Sequence, residues 1–370
     1  MKRASLWRER KNGRAQCLVC RHFCRLLPGE WGLCGVRGCR RINGQAEIFT
    51  LVETHAAAVH VDPIEKKPLF HYLPGSRTLS LGTPGCNFDC AWCQNADISR
   101  PALFTRRSLP ANDSAPDDLE QRDAFCRKGP AITATELVRA AKEEHCSSIA
   151  FTYTEPTIFF ELMCACAEQA GHSGLGRVLV SNGYQSPKCL EILAPLIDAA
   201  NIDLKAFSDD SYRRYCGAAL HGVLDNLILM RRLGWWLEIT TLVIPGINDS
   251  PEETARIARF IHKHLGADTP WHISAFFPRR ALLDIAPTSP ECLEKIRETG
   301  EKCGLRYVYT GNTPFRETNT RCPVCGEIVI RRRAYQILSP DVNGICPHCG
   351  ATLSGVWQTT TAREPQGEPR

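Results

Sequence analysis

The amino-acid sequence predicts an α/β protein: a parallel sheet of repeated strand–helix units, with a small cysteine-rich module at either end. Three observations predict it. Between residues 78 and 310, short β-branched runs alternate with amphipathic stretches of helical spacing, which is the rhythm of βαβ units. Cysteine is abundant, 20 residues in 370, and most of it gathers in three tight groups. Proline stands at or near the start of several helical stretches, where its missing N–H costs nothing.

In chain order, residues 1–16 read as a loose basic tail and 17–45 as a knuckle rich in Cys and Gly. Residues 46–77 form an extension carrying the dense polar stretch Asp62-Pro63-Ile64-Glu65-Lys66-Lys67-Pro68. The core, 78–310, has expected strands at Leu79–Gly82, Ser148–Tyr153, Arg177–Ser181, Ala200–Leu204, Leu237–Val243, Trp271–Ala275 and Arg306–Tyr309. Expected helices between them are Thr135–Cys146, Pro156–Gly171, Pro187–Leu196, Gly222–Leu233, Pro251–Leu265 and Pro290–Cys303. Residues 100–132 break the rhythm. They are polar and Pro-rich, with the acidic run Asp117-Asp118-Leu119-Glu120, and read as a surface insertion. A second cysteine module spans 318–355, and 356–370 has the composition of a disordered tail.

A net charge of +5 gives no pointer to nucleic acid or membrane. No apolar segment follows the basic start, and no run approaches the roughly 18 residues a spanning helix needs, so the cytoplasm is the expected location. Disulfides are rare there, and clustered cysteines read as metal ligands. Cys39, Cys126, Cys146, Cys164, Cys166, Cys189, Cys216, Cys292 and Cys303 are scattered and read mostly as small core residues.

The loop from Gly82 to Asn95 carries Cys86, Cys90 and Cys93 just after the first core strand. A [4Fe-4S] cluster normally takes four thiolates. Three from one tight loop hold three irons and leave the fourth open to chelate a small molecule. In parallel α/β barrels the chemistry sits at the C-terminal strand ends. Those ends carry Glu155, Ser181-Asn182-Gly183, Asp203-Leu204-Lys205 and Ile244. Each also has a plainer explanation: a Glu in a helix's first turn offsets the dipole, and short polar turns are ordinary connections. After the sixth core strand, His272 or Arg279 is placed to reach the cavity, but a lone His on an apolar strand reads more often as a satisfied core group.

The cysteine loop resembles that of the radical S-adenosylmethionine (SAM) superfamily, whose pattern is Cys-x3-Cys-x-aromatic-Cys, with Trp92 in the aromatic place. The resemblance implies a partial (β/α)6-type barrel holding a [4Fe-4S] cluster on Cys86, Cys90 and Cys93. SAM would meet Trp92, Glu155, Ser181, Asn182, Asp203 and Ile244. One electron from an external reductant would split SAM into methionine and a 5′-deoxyadenosyl radical that abstracts hydrogen. This chain departs from the superfamily's Gly-Gly-Glu-Pro element, having Tyr153-Thr154-Glu155-Pro156. Ser181-Asn182-Gly183 and Asp203-Leu204-Lys205 resemble the Thr-Asn-Gly and Asp-Leu-Lys elements of activases of glycyl-radical enzymes. That likeness makes Lys205 and Asp203 the expected catalytic neighbourhood and a protein the expected substrate. Asp62 to His71, Trp92-Cys93-Gln94-Asn95 and Phe151 to Thr157 together resemble the radical enzyme of the AmmeMemoRadiSam system, related to pyruvate formate-lyase activating enzyme. Its members are commonly encoded with Memo-like and AMMECR1-like proteins, which are the partners it implies. Radical modification of RNA or of a small molecule, and a non-catalytic multi-metal scaffold, are the other readings.

The end modules carry their own chemistry. Cys322-x2-Cys325-Gly326 and Cys346-x2-Cys349-Gly350 form a pair of knuckles that closes a tetrahedral four-thiolate site, expected to take zinc, with mononuclear iron the nearest competitor. Cys17, Cys20, Cys24 and Cys34 suit either a structural zinc, the favoured reading, or an auxiliary [4Fe-4S] cluster, and Cys39 is an alternative to Cys34. Arg331-Arg332-Arg333 reads as a solvated face, and nucleic acid is not an expected partner.

Overall fold

The computed structural model describes residues 1–105, 115–313, 318–339 and 343–358. Its centre is an eight-stranded sheet. In chain order the strands are β1 (Ala58–Pro63), β2 (Arg77–Gly82), β3 (Ser148–Phe151), β4 (Gly176–Ser181), β5 (Ala199–Asp203), β6 (Trp236–Val243), β7 (Trp271–Ala275) and β8 (Val308–Gly311). They lie side by side in that same order. Strands β2 to β8 run parallel, and β1 pairs antiparallel with β2 to form one edge. The two edge strands do not pair with each other, so the barrel is open, and it curls enough that residues at the ends of β2 through β8 line one cavity.

The sequence explains these strands. Every residue of β3 is buried, and Ile239, Trp271 and Ile273 are fully so, as expected of parallel strands covered on both faces. Between the strands lie α1 (Ala134–Glu143), α2 (Phe160–His172), α3 (Pro187–Leu193), α4 (Leu220–Arg232), α5 (Pro251–Phe260) and α6 (Pro290–Lys302). Thr133 and Glu136 form a capping box at α1. Ser186, Ser250 and Ser289 cap α3, α5 and α6, each followed by Pro at the first helical position. Register pairs such as Leu81 with Phe151 and Asp203 with Thr240 align the C-terminal strand ends on one rim.

Two regions differ from expectation. Residues 1–16 are not a loose tail: Lys2–Arg3 pairs with Gln45–Thr50, and Trp7–Arg10 with Arg14–Cys17. Ala4 and Ala15 are buried in the core these strands build. Within 100–132, the described part is not a detached insertion. Phe104 and Arg122 are buried against the N-terminal module, with the Arg122 guanidinium 4.6 Å from the Trp31 ring and Nη1 donating to the Gly35 carbonyl at 2.9 Å. In the expected C-terminal tail, Val356 exchanges backbone hydrogen bonds with His71 and Leu73, while 359–370 lie outside the described residues.

The end modules are stitched to the barrel at different places. The N-terminal one meets the turn after β4, where the Arg21 N–H donates to the Tyr184 carbonyl at 3.0 Å and the Ser186 N–H to the Val19 carbonyl at 3.0 Å. The C-terminal one is tied through Arg332, which is not part of a solvated face. It is fully buried, donating to the Phe70 carbonyl at 2.7 Å and to Thr320 Oγ1 at 2.6 Å, with its guanidinium 4.5 Å from the Phe70 ring. Among the described residues, no helix is long and apolar enough to cross a membrane.

Candidate active site

A cavity of about 520 Å3 opens at the rim of the sheet. It brings together Cys86, Cys90, Cys93 and Trp92 from the loop after β2, Ser181 and Asn182 at the end of β4, and Asp203 and Lys205 at the end of β5. No other described cysteine lines it. The loop is held from several sides. A Cβ on Gly82 would stand 2.5 Å from the Thr152 carbonyl oxygen, so only glycine lets β2 and β3 approach this closely. The Asp89 carboxylate takes Arg280 Nη2 at 2.6 Å and Arg100 Nε at 3.3 Å. Burial works against that carboxylate, but the two guanidinium groups outweigh it and hold its pKa below the usual range. The Phe88 N–H points at Cys86 Sγ (3.4 Å), and Ser99 Oγ lies 3.2 Å from Cys93 Sγ. Such contacts suit thiolates.

The donor set fits a [4Fe-4S] cluster with one open iron. Three thiols from one loop face one cavity, and they are not drawn together as a single ion would require. Among the described residues, the only three or more Cys, His or carboxylate ligand atoms all within 4.8 Å of one another belong to Cys322, Cys325, Cys346 and Cys349.

The other expected site residues divide. Trp92 is buried, lines the cavity and lies 6.1 Å from the Tyr215 ring. Lys205 Nζ donates to Asp203 Oδ2 at 2.8 Å. Burial opposes the Lys205 charge, yet Asp203 and the thiolate forms of Cys90 and Cys216 raise its pKa well above the ordinary lysine value. Glu155 is fully buried and does not line the cavity. Its carboxylate accepts from the Thr157 N–H (3.0 Å), the Asn182 N–H (2.9 Å) and Ser181 Oγ (2.9 Å), so it fixes the Ser181–Asn182 turn from beneath. Ile244 is also buried away from the cavity, its N–H donated to Asn248 Oδ1 at 2.6 Å. Tyr153 sits at φ 67°, which explains why a glycine suits this place in the superfamily pattern.

At the far end of the cavity sequence reasoning raised His272 only as the weaker reading and missed Lys67 and Tyr153. Lys67, Tyr153 and His272 line it. Asp62 accepts from Lys67 Nζ at 2.7 Å and from Tyr153 Oη at 2.8 Å. Burial resists ionisation of Asp62, but Lys67, Lys66 and Tyr153 overcome it and hold the carboxyl well below its usual range. His272 Nε2 lies 2.7 Å from Glu238 Oε2, which is wholly buried and also accepts the Phe70 N–H. The available signal was the stretch Asp62 to His71, whose charges are too dense for a surface connection that ends in Leu-Phe-His.

The C-terminal thiols form a closed site. Cys322 Sγ lies 3.6 Å from Cys349 Sγ, and Cys325 Sγ 3.6 Å from Cys346 Sγ. A tetrahedron with zinc–sulfur bonds of ~2.3 Å has edges of about 3.8 Å, so the set is sized for one ion. The two knuckles are built alike: the Gly326 and Gly350 N–H groups donate to the Cys322 and Cys346 carbonyls, each at 2.9 Å. At the other end, Cys17, Cys20, Cys24 and Cys34 line one further cavity. Cys39 does not line it and lies on the strand Arg37–Ile42.

Fold and site together define an open α/β barrel with a three-cysteine metal loop at the C-terminal strand ends. Comparison with known proteins agrees. The family model for the Radical SAM superfamily matches residues 80–258. The chain is 35% identical over 357 residues to an uncharacterized protein of Methanocaldococcus jannaschii, covering 95% of this chain and 99% of that one. It is 25% identical over 188 residues to the pyruvate formate-lyase-activating enzyme of Clostridium pasteurianum, covering 51% of this chain and 70% of that one. A solved radical SAM methyltransferase from Sphaerobacter thermophilus superposes with TM-score 0.45 at 15% identity, covering 64% of this chain and 67% of that one. The chain belongs to the radical SAM superfamily, whose general chemistry is reductive cleavage of SAM at a [4Fe-4S] cluster.

Proposed function

We propose that the protein generates a 5′-deoxyadenosyl radical and uses it to take hydrogen from a protein substrate, in the manner of an activating enzyme. The observation that carries the radical chemistry is the convergence of Cys86, Cys90 and Cys93 with the Asp203–Lys205 pair in one cavity. Similarity to the activating enzyme of Clostridium pasteurianum supports a protein substrate. When bound, the cluster supplies the electron, received from an external reductant, that splits SAM into methionine and the radical.

The chain's own residues bind and orient. Lys205 offers an ammonium to a carboxylate, and Asp203 offers the opposite charge to an amine. Ser181 and Asn182, held from below by Glu155, present polar groups suited to a ribose. Trp92 gives a flat apolar wall and helps keep water from the reacting atoms. The far end, with Lys67, Tyr153 and His272, has room for a substrate segment beside SAM. The C-terminal four-thiolate site takes zinc as a structural ion.

The test is anaerobic loading with iron and sulfide, reduction in the presence of SAM, and assay for 5′-deoxyadenosine. Product from the wild type that disappears in Cys90→Ala supports the reading. No product from a fully loaded, reducible cluster refutes it.

A further inference from the structure

We propose that the N-terminal module holds a second [4Fe-4S] cluster, closed on all four irons by Cys17, Cys20, Cys24 and Cys34, rather than a single zinc or iron ion.

The first argument is spacing. The C-terminal thiols stand at the edge length of a mononuclear tetrahedron, 3.6 Å in two pairs. Among the described residues, no three of the N-terminal thiols lie within 4.8 Å of one another, although all four face one cavity. The same wider spread marks Cys86, Cys90 and Cys93. A cube of iron and sulfide places its thiolates on outer corners, well beyond the reach of one shared ion. Within one chain, the closed C-terminal site is the reference for an ion and the loop after β2 is the reference for a cube. The N-terminal set matches the second.

The second argument is hydrogen bonding. Two buried donors at this cavity have no partner among the described residues: Arg37 Nε and Asn87 Nδ2, on residues 2% and 3% exposed that both line the cavity. An orphaned buried donor is destabilising unless the occupant of the site accepts from it. Backbone amides near the thiols favour their charged forms: those of Val36 and Arg37 at Cys34, that of His22 at Cys20, and that of Leu33 at Cys24. The sulfides of a cube add acceptors that a bare ion lacks. Net charge does not separate the two occupants, since four thiolates around either leave an anionic site; spacing and spare donors do.

Four protein ligands leave no open iron, so this cluster is suited to carry an electron and not to bind SAM. It also adjoins the first cysteine loop. A Cβ on Gly85 would come within 2.8 Å of the Cys34 carbonyl oxygen, and His22 Nε2 lies 2.9 Å from the Asn87 carbonyl oxygen, one residue beyond Cys86.

The experiment uses the full chain carrying Cys86→Ala, Cys90→Ala and Cys93→Ala, loaded anaerobically with iron and sulfide. Iron, acid-labile sulfide and zinc are counted, and Mössbauer and reduced-state EPR spectra are recorded. The expected result is about four irons and four sulfides per chain, with an EPR signal that SAM does not change. Adding Cys20→Ser and Cys24→Ser should remove iron and sulfide but leave one zinc. A triple variant free of sulfide, with two mononuclear ions per chain, overturns the proposal. Should the triple variant not fold, the wild type decides: about eight irons and eight sulfides support a second cluster, and about four of each refute it. These counts do not depend on SAM cleavage, so they stand or fall apart from the proposed activity.

Discussion

Replacing Glu161 with glutamine tests how the N-terminal module is locked onto the barrel. Glu161 opens α2, and its carboxylate grips both arms of Arg37, at 2.8 Å to Nη1 and 2.9 Å to Nη2. It also accepts the Ser5 N–H at 2.8 Å. Both side chains are largely removed from water, at 2% and 11% exposure. Burial alone would raise the Glu161 pKa, but Arg37 outweighs it and holds the carboxyl down at about 2, from 4.5. That displacement corresponds to about 3 kcal/mol of native stability at neutral pH. Removing one partner of a buried ion pair costs roughly 3–5 kcal/mol. The two figures describe the same interaction and are not added, so Glu161→Gln should lose about 3–5 kcal/mol in urea unfolding followed by tryptophan fluorescence. A carboxylate whose pKa is depressed by folding contributes fully above its unfolded value and loses that contribution as pH falls toward its folded one. The wild-type advantage should therefore hold at pH 7 and fade between about pH 4.5 and about 2. A loss below about 1 kcal/mol, or a gap that does not narrow in acid, refutes the reasoning.

Three further outcomes follow from the same geometry. Burial pushes His71 down to about 4, where its ring lies between the Ser354 carbonyl oxygen and Tyr309 Oη. The stability this neutral ring permits is present above the unfolded value of 6.5 and is lost as pH falls toward 4, by up to about 3 kcal/mol. Thermal midpoints across that window should drop in the wild type and flatten in His71→Gln. Asp203→Asn removes the charge paired with Lys205 at 2.8 Å, and 5′-deoxyadenosine production should fall about tenfold or more; an unchanged rate takes the pair out of the reaction. Cys325→Ser should release one equivalent of metal from the C-terminal site, measured by elemental analysis, while SAM cleavage continues.

Much of the fold was legible because its physics is local or periodic. Strands β2 to β7 are short segments buried along most of their length, as a sheet covered on both faces requires, and Ser-Pro at three helix starts fixes their N-termini. The C-terminal cysteine pairing was legible because two Cys-x2-Cys-Gly turns bring four thiols within the reach of one ion. What escaped was non-local. Lys2 and Arg3 form a strand only because Thr50 and Phe49 stand opposite, and no local pattern announces partners that far along the chain. Glu155 and Ile244 were visible as strand-end residues, yet whether a side chain faces the cavity or the turn beneath it depends on the packing of neighbouring strand ends. Arg331 to Arg333 did hold a readable clue. The outer two are exposed and the middle one is buried, the period of two that marks a strand rather than a charged surface.

Arg37 and Arg332 do equivalent jobs at the two ends of the chain. Modules this small cannot bury enough apolar surface to fold firmly alone, so metal and docking must supply the difference. Each docks through one guanidinium that is almost wholly buried: Arg37 onto Glu161 of α2, and Arg332 onto the Phe70 carbonyl with Glu65 3.8 Å from its Nε. Arginine suits this use because it stays charged when buried and spreads several donors over a fixed plane. The consequences for the active site differ. Arg332 bonds to the carbonyl of Phe70, whose N–H is held by Glu238, the partner of His272, so the C-terminal module steadies the far wall of the cavity. Arg37 lines the N-terminal thiol cavity itself, so the contact that docks that module also helps to shape that cavity.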